Sequence, residues 1–284
     1  ETGLPQKIGV QHHHAHITSC MAENGLSGEV IGVALDGTGY GTDGRIWGGE
    51  FLAAGYARFA RRAHFRYVPL AGGDAAVREP WRAAMAYLTD TFGASGSDLL
   101  PAIPASQARV LRRMMETGTN TVETSSCGRL FDAVASILGL RQHVTFEGQA
   151  AIELETIAED SESGRYDFHL EAGEEWTVDF RPTIEAIVQV ARAGRAAATV
   201  AAKFHHTLAE AIVETCRRIR GGTGLKRICL SGGTFQNWRL LQGTVSGLRA
   251  AGFDVYTHAR VPPNDGGIAL GQAAVAAAIL QNGI

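Results

Sequence analysis

Four histidines lie close together in the run Gln11-His-His-His-Ala-His16. On a helix, His12 and His16 are four positions apart and share one face, so their imidazoles can chelate a single metal ion. His13 and His14 would point in other directions. An affinity tag or a surface histidine cluster would also place histidines together, but this run is broken by an alanine and flanked by apolar sequence. We therefore treat the pair as candidate metal ligands.

Two imidazoles need further ligands, and two aspartates at glycine-rich turns could supply them. Asp36 follows the strand predicted for residues 29–35, and Asp265 lies in Pro262-Pro-Asn-Asp-Gly-Gly267, ahead of a predicted helix. Two imidazoles with two carboxylates suit Fe²⁺, Mn²⁺ or Zn²⁺ and leave positions open for substrate or water. Taken singly, each aspartate is also typical of a helix cap or a turn.

A nucleophile that would form a covalent intermediate is harder to find. The sequence has no G-x-S-x-G elbow, and none of its three lysines follows a P-loop pattern. Its four cysteines form no C-x-x-C pair, and nothing near Cys127 marks it as activated, so we expect Cys127 to have a packing role. His205 and His206 lie in an alanine-rich predicted helix and are interpreted as a structural or partly exposed pair.

The elements that must position these side chains are strands that run into glycine-rich turns. Extended segments are predicted for 29–35, 45–56, 227–230 and 253–258, the first two as a hairpin around the turn 36–44. The polar stretch 159–175 is predicted to be a surface connection or a small hairpin. Helices are predicted from Pro80 to about 140, from 182 to 220 with an interruption near Gly194, from 237, and after 267. Backbone N–H groups in such turns and at helix N-termini favour anions, so the pattern predicts an α/β fold with a nucleotide cleft.

Composition narrows the class of protein. The chain has 284 residues, 45% of them hydrophobic, and a net charge of −3, which predicts a soluble, cytoplasmic protein with one large domain or two lobes. The near-neutral balance argues against a nucleic-acid partner, and the absence of a long apolar run argues against a membrane. The sequence begins at Glu1 rather than at methionine, so we expect a fragment of a longer protein.

Seven motifs, taken in order along nearly the whole chain, resemble the C-terminal domain of the HypF family, the carbamoyltransferases of [NiFe]-hydrogenase maturation. They are Val10–His16, Ala34–Gly41, Gly72–Arg82, Gly128–Asp132, Phe146–Gln149, Leu230–Asn237 and Pro262–Ile268. The resemblance implies an α/β fold of the actin/Hsp70/sugar-kinase (ASKHA) type, mainly its second lobe with the end of the first. Residues 1–28 would end the first lobe and carry the histidine motif. Residues 29–284 would form the second lobe, with helical insertions at about 70–225.

The same resemblance implies the site residues. The metal ligands and catalytic residues would be His12, His16, Asp36 and Asp265, holding Fe²⁺, Zn²⁺, Mn²⁺ or Mg²⁺. Glycine-rich turns would bind the phosphates of ATP or carbamoyl-adenylate, and other residues would bind its nucleoside. Asp132 would accept hydrogen bonds from the ribose hydroxyls. The expected nucleotide contacts are Gly37, Thr38, Gly39, Gly128, Asp132, Gly148, Gly232, Gly233, Asn237 and Asn264.

The implied reaction transfers a carbamoyl group from carbamoyl-adenylate to the C-terminal cysteine of the partner HypE. The YrdC-like, zinc-finger and acylphosphatase-like domains of the family would lie outside this chain. A thiol supplied by the acceptor would explain why no enzyme nucleophile is evident. The alternatives are a TsaD-like tRNA threonylcarbamoyltransferase, a small-molecule O-carbamoyltransferase, or a non-catalytic nucleotide-binding module that docks HypE. The triple-histidine motif favours HypF, and the lack of a basic patch counts against tRNA.

Overall fold

A computed structural model describes residues 7–100 and 102–283. The first six residues of the predicted 1–28 segment, including Glu1, and the last residue of the predicted 29–284 lobe lie outside the described residues. So does Pro101. In the part of the chain that is described, no helix combines the length and apolar character needed to cross a membrane.

A long central strand organises the sheet. β1 (Val30–Tyr40) pairs antiparallel with β2 (Ile46–Ala54), which pairs antiparallel with β3 (Phe59–Phe65). On its other side β1 pairs parallel with β8 (Arg227–Ser231), and β8 pairs parallel with β9 (Asp254–Tyr256). The order β3-β2-β1-β8-β9 therefore places the ends of β1 and β8, and the turns that follow them, side by side.

Four short strands extend this sheet at one side. β6 (His169–Glu171) and β7 (Trp176–Asp179) form an antiparallel pair, and β7 continues the sheet parallel to β3. β4 (Val68–Ala71) pairs antiparallel with β5 (Thr121–Thr124), which also touches the start of β2. The architecture is a mixed α/β sheet covered by helices, in agreement with the predicted class.

Alternation along β1 divides the apolar core between the two faces of the sheet. Val30 and Ala34 pack against the side of α1 (His12–Glu23), together with Ile17 and Met21. α10 (Ile268–Asn282) lies against α1, at a point where a side chain on Gly271 would collide with the backbone of Ala15. These close approaches hold the histidine-bearing helix tightly on the sheet.

The opposite face of the sheet is covered by the larger core, which contains Ile31, Val33 and Leu35 of β1. Local signals set the helix ends on this side: Pro80 occupies the first turn of its helix, and Asn237 caps the helix that begins at Trp238 by accepting from Leu240 N–H at 2.8 Å. The remaining helices are α2 (Asp74–Arg78), α3 (Pro80–Phe92), α4 (Ala105–Thr117), α5 (Cys127–Ile137), α6 (Gln149–Ile157), α7 (Arg181–Arg192), α8 (Ala197–Thr223) and α9 (Trp238–Ala250).

Several predicted boundaries need correction. The predicted turn 36–44 is wrong in its first half, because β1 continues to Tyr40, with a shift of register against β2 between Leu35 and Gly39. The continuous helical stretch from 80 to 140 is also wrong, since it contains three separate helices and the strand β5. The β1–β2 hairpin and the interruption between α7 and α8 are confirmed. Pairing with strands distant in sequence explains these differences, because the extent of a strand depends on its partners in the fold as well as on its own residues.

Candidate metal and nucleotide site

Four side chains from three separate elements converge beside the end of β1. His12 and His16 lie on one face of α1, whose first turn is capped by Gln11 accepting from His14 N–H at 2.8 Å. His12 Nε2 and His16 Nε2 lie 3.1 and 2.9 Å from Asp36 Oδ2, and 3.6 and 3.4 Å from Asp265 Oδ1. One donor atom from each of the four residues falls within 4.8 Å of all the others.

Backbone contacts fix the two aspartates at this point. Asp36 Oδ1 accepts from Gly37 N–H at 2.8 Å and from Gly233 N–H at 3.4 Å, which leaves Oδ2 facing the imidazoles. The turn that carries Asp265 is held against α1, because Ser19 Oγ donates to Gly267 C=O at 2.8 Å. Residues 229 positions apart in sequence are thus brought to one spot by the pairing of β1 with β8 and of α1 with α10.

The donor set fits a divalent ion. An ion about 2.1 Å from each donor needs neighbouring donors roughly 3.0–3.4 Å apart, and the contacts between imidazole and carboxylate here span 2.9 to 3.6 Å. Burial opposes protonation of His16, but hydrogen bonds to Asp265 and Asp36 outweigh it and raise the pKa of His16 to about 9. Burial also opposes ionisation of Asp36, yet its contacts with His12 and His16 hold its pKa well below the usual range. The Asp36 carboxylate is therefore ionised, and a bound cation would compensate it.

A chain of hydrogen bonds behind His16 orients its ring. Glu23 Oε2 accepts from His258 Nδ1 at 2.8 Å, and His258 Nε2 accepts from the Ser231 hydroxyl at 2.9 Å. Ser231 Oγ in turn lies 3.5 Å from His16 Nδ1. With Nδ1 facing the Ser231 oxygen, Nε2 faces Asp36 and Asp265, and outer-shell partners of metal-binding histidines orient the ring in the same way.

The other two histidines of the motif contribute no donor atom to the cluster, as their spacing predicts. His14 contacts Gly55 C=O at 2.7 Å. His13 is buried beneath β1, with Nδ1 3.2 Å from Gln11 Nε2, and a side chain on Gly39 would collide with its ring. Gly39 is therefore required by the packing of β1 on α1.

A cavity of about 460 Å³ opens beside the donor cluster, between the β1 and β8 turns and the helices α5 and α6. Ten of the predicted site residues line it: Asp36, Gly37, Thr38, Gly128, Asp132, Gly148, Gly233, Asn237, Asn264 and Asp265. His12, His16, Gly39 and Gly232 are not among the lining residues. Gly232 has a φ of +103°, and a side chain there would collide with Leu35 of β1, so packing explains this glycine as well.

Two of the predicted nucleotide contacts, Asn237 and Asn264, also stabilise the local structure. Asn237 caps α9 and donates from Nδ2 to Nε2 of the buried His205 at 3.0 Å, which confirms the structural interpretation of His205. Asn264 Oδ1 accepts from Gly266 N–H at 3.1 Å and shapes the turn that carries Asp265. Cys127 is fully buried, and burial raises the pKa of its thiol, in agreement with the predicted packing role.

Sequence reasoning missed five polar residues that line the cavity: Arg129, Glu147, Glu155, Thr234 and Gln236. Arg129 Nη2 lies 3.1 Å from Asp132 Oδ2, and both side chains are almost fully buried. Burial raises the pKa of Asp132 to about 6, an effect that Arg129 partly offsets. The available signal for Arg129 was a cationic residue in the first turn of a helix, inside a motif already assigned to the nucleotide.

Comparison with known proteins places most of the chain in one family. The model described as "Carbamoyltransferase, Kae1-like Domain, second subdomain" matches residues 32–272. The chain is 41% identical over 282 residues to a carbamoyltransferase HypF homolog of Cupriavidus necator, covering 95% of this chain and 71% of that protein. It is also 41% identical over 286 residues to the carbamoyltransferase HypF of Rhodobacter capsulatus, of which it covers 37%.

Solved structures give the same relationship. A crystal structure of full-length HypF in a phosphate- and nucleotide-bound form matches with a TM-score of 0.91 at 40% identity, over 98% of this chain and 37% of that one. A HypF from T. kodakarensis matches with a TM-score of 0.86 at 33% identity, over 96% of this chain and 37% of that one. The chain thus spans little more than a third of these longer relatives.

Proposed function

This chain belongs to the HypF family of carbamoyltransferases. We propose that it transfers a carbamoyl group from carbamoyl-adenylate to the C-terminal cysteine thiol of HypE. The observation that carries the proposal is the convergence of two imidazoles and two carboxylates next to a nucleotide-sized cavity. Nucleotide binding to this chain is supported by its similarity to the full-length HypF that was crystallised with phosphate and nucleotide bound.

Each group of residues has its own task. His12, His16, Asp36 and Asp265 would hold a divalent ion, and such an ion supplies charge stabilisation for the carbamoyl oxygen and the leaving phosphate. The Gly37 and Thr38 end of the cavity would receive the phosphate, and Asp132 and Gly148 would receive the nucleoside. Asp265, whose side chain is 72% exposed, lies on the open side of the cluster, where an acceptor can approach.

The transfer balances without an enzyme nucleophile. The acceptor sulfur attacks the carbamoyl carbon, a C–S bond forms, and the C–O bond to the phosphate breaks. AMP departs with that electron pair, and the thiol proton passes to solvent. The four cysteines of this chain, Cys20, Cys127, Cys216 and Cys229, are all buried, so the thiol must come from another molecule.

The strand topology supports the finer fold proposal. Three antiparallel strands, β3-β2-β1, are followed by two strands parallel to β1, which is the arrangement expected for one lobe of the ASKHA fold. We propose that residues 29–284 form the second lobe, with insertions at about 70–225, and that residues 1–28 end the first lobe. The YrdC-like, zinc-finger and acylphosphatase-like domains would belong to the part of the longer relatives that this chain does not cover.

The test is transfer to HypE. The full-length protein is given carbamoyl-adenylate and HypE, and the mass of the HypE C-terminal peptide is measured. We expect one added carbamoyl group with the wild type, none with Asp36→Ala or Asp265→Ala, and wild-type transfer with Asp254→Ala, an exposed aspartate on β9. Unmodified HypE alongside modified tRNA would point to the TsaD-like alternative. Nucleotide binding without any transfer would point to the docking module.

A further inference from the structure

Arg129 is a buried cation with unused hydrogen-bonding capacity. It lies in the first turn of α5, and its side chain is only 6% exposed. Within the described part of the chain, Nε and Nη1 have no hydrogen-bond partner, and the carboxylate oxygen of Asp132 that lies nearest to Nη2 has none either. A buried guanidinium with a single ion-pair partner and two unpartnered nitrogens is costly, so this arrangement indicates that an external group completes it.

The charges of the residues that line the cavity indicate that this external group is an anion. Five carboxylates line the cavity, and Arg129 is the only cationic side chain among the lining residues. Two of the carboxylates, Asp36 and Asp265, belong to the proposed ion site. An anionic ligand is therefore repelled along most of the wall, and its charge can be placed only where the ion and Arg129 lie.

Arg129 lies at the same end of the cavity as the ion site. Its Nη2 is 4.0 Å from the position that a Cβ on Gly37 would occupy. A Cβ on Gly128 would lie 2.9 Å from Gly37 Cα, so the N-terminus of α5 is in contact with the residue that follows Asp36. The remaining carboxylates are Glu147, which precedes α6, and Glu155, which lies within it, and both suit neutral donors such as hydroxyl or amino groups.

We propose that Arg129 binds the phosphoryl oxygens of the nucleotide and makes the cavity select a nucleotide over a nucleoside. This inference rests on the proposed function. A guanidinium presents N–H donors that match phosphate oxygens, and the positive end of the α5 dipole adds to the same field. Contact of Arg129 with phosphate frees Asp132 to accept from the ribose.

The experiment compares AMP with adenosine as titrants of the 284-residue chain in the presence of Mn²⁺, using calorimetry. We expect Arg129→Gln to weaken AMP binding at least about tenfold, because hydrogen bonds to a charged group are lost, and to change adenosine binding less than about twofold. Arg129→Lys keeps the positive charge but not the planar N–H donors of the guanidinium, and it should lose less AMP affinity than Arg129→Gln. Arg249→Gln, at an exposed site on α9, should match the wild type.

The outcomes separate this inference from the proposed function. Equal losses of AMP and adenosine affinity in Arg129→Gln would mean that Arg129 only shapes the cavity, and would overturn the inference alone. AMP binding unchanged in Arg129→Gln would overturn it too. Failure of the wild type to bind either compound would remove the proposed nucleotide site itself. Retained adenosine affinity in the variant also shows that the variant is folded.

Discussion

Among the described residues, Arg61 and Arg129 have side chains that are 8% and 6% exposed, and they differ in how their charge is met. Arg61 donates from Nε to Glu50 at 2.6 Å and from Nη1 to the Tyr67 hydroxyl at 2.9 Å, and its guanidinium stacks 4.0 Å over the ring of Trp47. Only its Nη2 lacks a partner. Arg129 makes one contact, with Asp132, and faces a cavity.

The carboxylates show the same contrast. Glu50 is fully buried and accepts from Gly48 N–H, Gly49 N–H, the Ser125 hydroxyl and Arg61. Asp132 has one oxygen without a hydrogen-bond partner, and burial raises its pKa. A buried charge that the chain satisfies itself holds strands together, whereas a buried charge left open towards a cavity indicates a ligand. Four sets of variants test this distinction.

Removing both metal-facing imidazoles should have the largest effect. His12→Ala combined with His16→Ala takes away two of four donors, so we expect stoichiometric divalent-ion binding to be abolished, as measured by metal analysis after dialysis and by calorimetry. His143→Ala, at an exposed histidine with a side chain 70% accessible, is the control. Metal content that stays unchanged in the double variant would rule out this site.

Disrupting the buried pair of Arg61 and Glu50 should lower stability instead of ligand binding. Glu50→Gln removes the closest and only fully buried counter-charge of Arg61, leaving the more distant and more exposed Glu175 and Asp43, and we expect the free energy of unfolding to fall by about 3 kcal/mol. The measurement is chemical denaturation followed by far-UV circular dichroism. Glu123→Gln, whose side chain is 49% exposed and pairs with Arg45, is the control and should change stability by less than about 1 kcal/mol. A loss as small as the control's would mean that the Glu50 cluster is not structural.

The hydrogen-bond chain behind His16 should tune the ion site without supplying a donor. Ser231→Ala removes the partner of His16 Nδ1 and should weaken divalent-ion affinity about 10- to 100-fold. Because His258 Nε2 also loses its hydrogen-bond donor, the free energy of unfolding without metal should fall by about 1–3 kcal/mol. Competition with a chromophoric chelator measures the affinity. Ser246→Ala, at an exposed position on α9, should behave like the wild type. An unchanged affinity in Ser231→Ala would show that the ring of His16 is oriented by α1 alone.

The buried pair of Arg129 and Asp132 should also affect how the free energy of unfolding depends on pH. Because burial raises the pKa of Asp132 to about 6, the folded state binds more protons than the unfolded state between pH of about 4 and 6. The contribution of Asp132 therefore favours folding at low pH and is lost as pH rises through about 6. Asp132→Asn should remove this slope, worth about 3 kcal/mol, in denaturation series at several pH values. A wild-type slope in the variant would assign the pH dependence to another group.

Much of the site could be predicted because its signals are local. The spacing of His12 and His16 places two imidazoles on one helix face whatever the rest of the chain does. The β1–β2 hairpin and the cap at Asn237 follow from residue types a few positions apart. The boundary of β1 and the presence of β5 could not be predicted this way, because partner strands distant in sequence determine them.

The sequence alone thus specified the candidate donors, the strand–turn–helix units that carry them, and the resemblance that suggested the chemistry. Only the fold shows that Asp36 and Asp265 meet the same two imidazoles, because the pairing of β1 with β8 and the packing of α10 on α1 set that distance. The fold also assigns Gly39 and Gly232 to packing and leaves two nitrogens of Arg129 buried without a hydrogen-bond partner. Residue type limits what a side chain can bind, and only its surroundings in the fold determine which of its bonds are already taken.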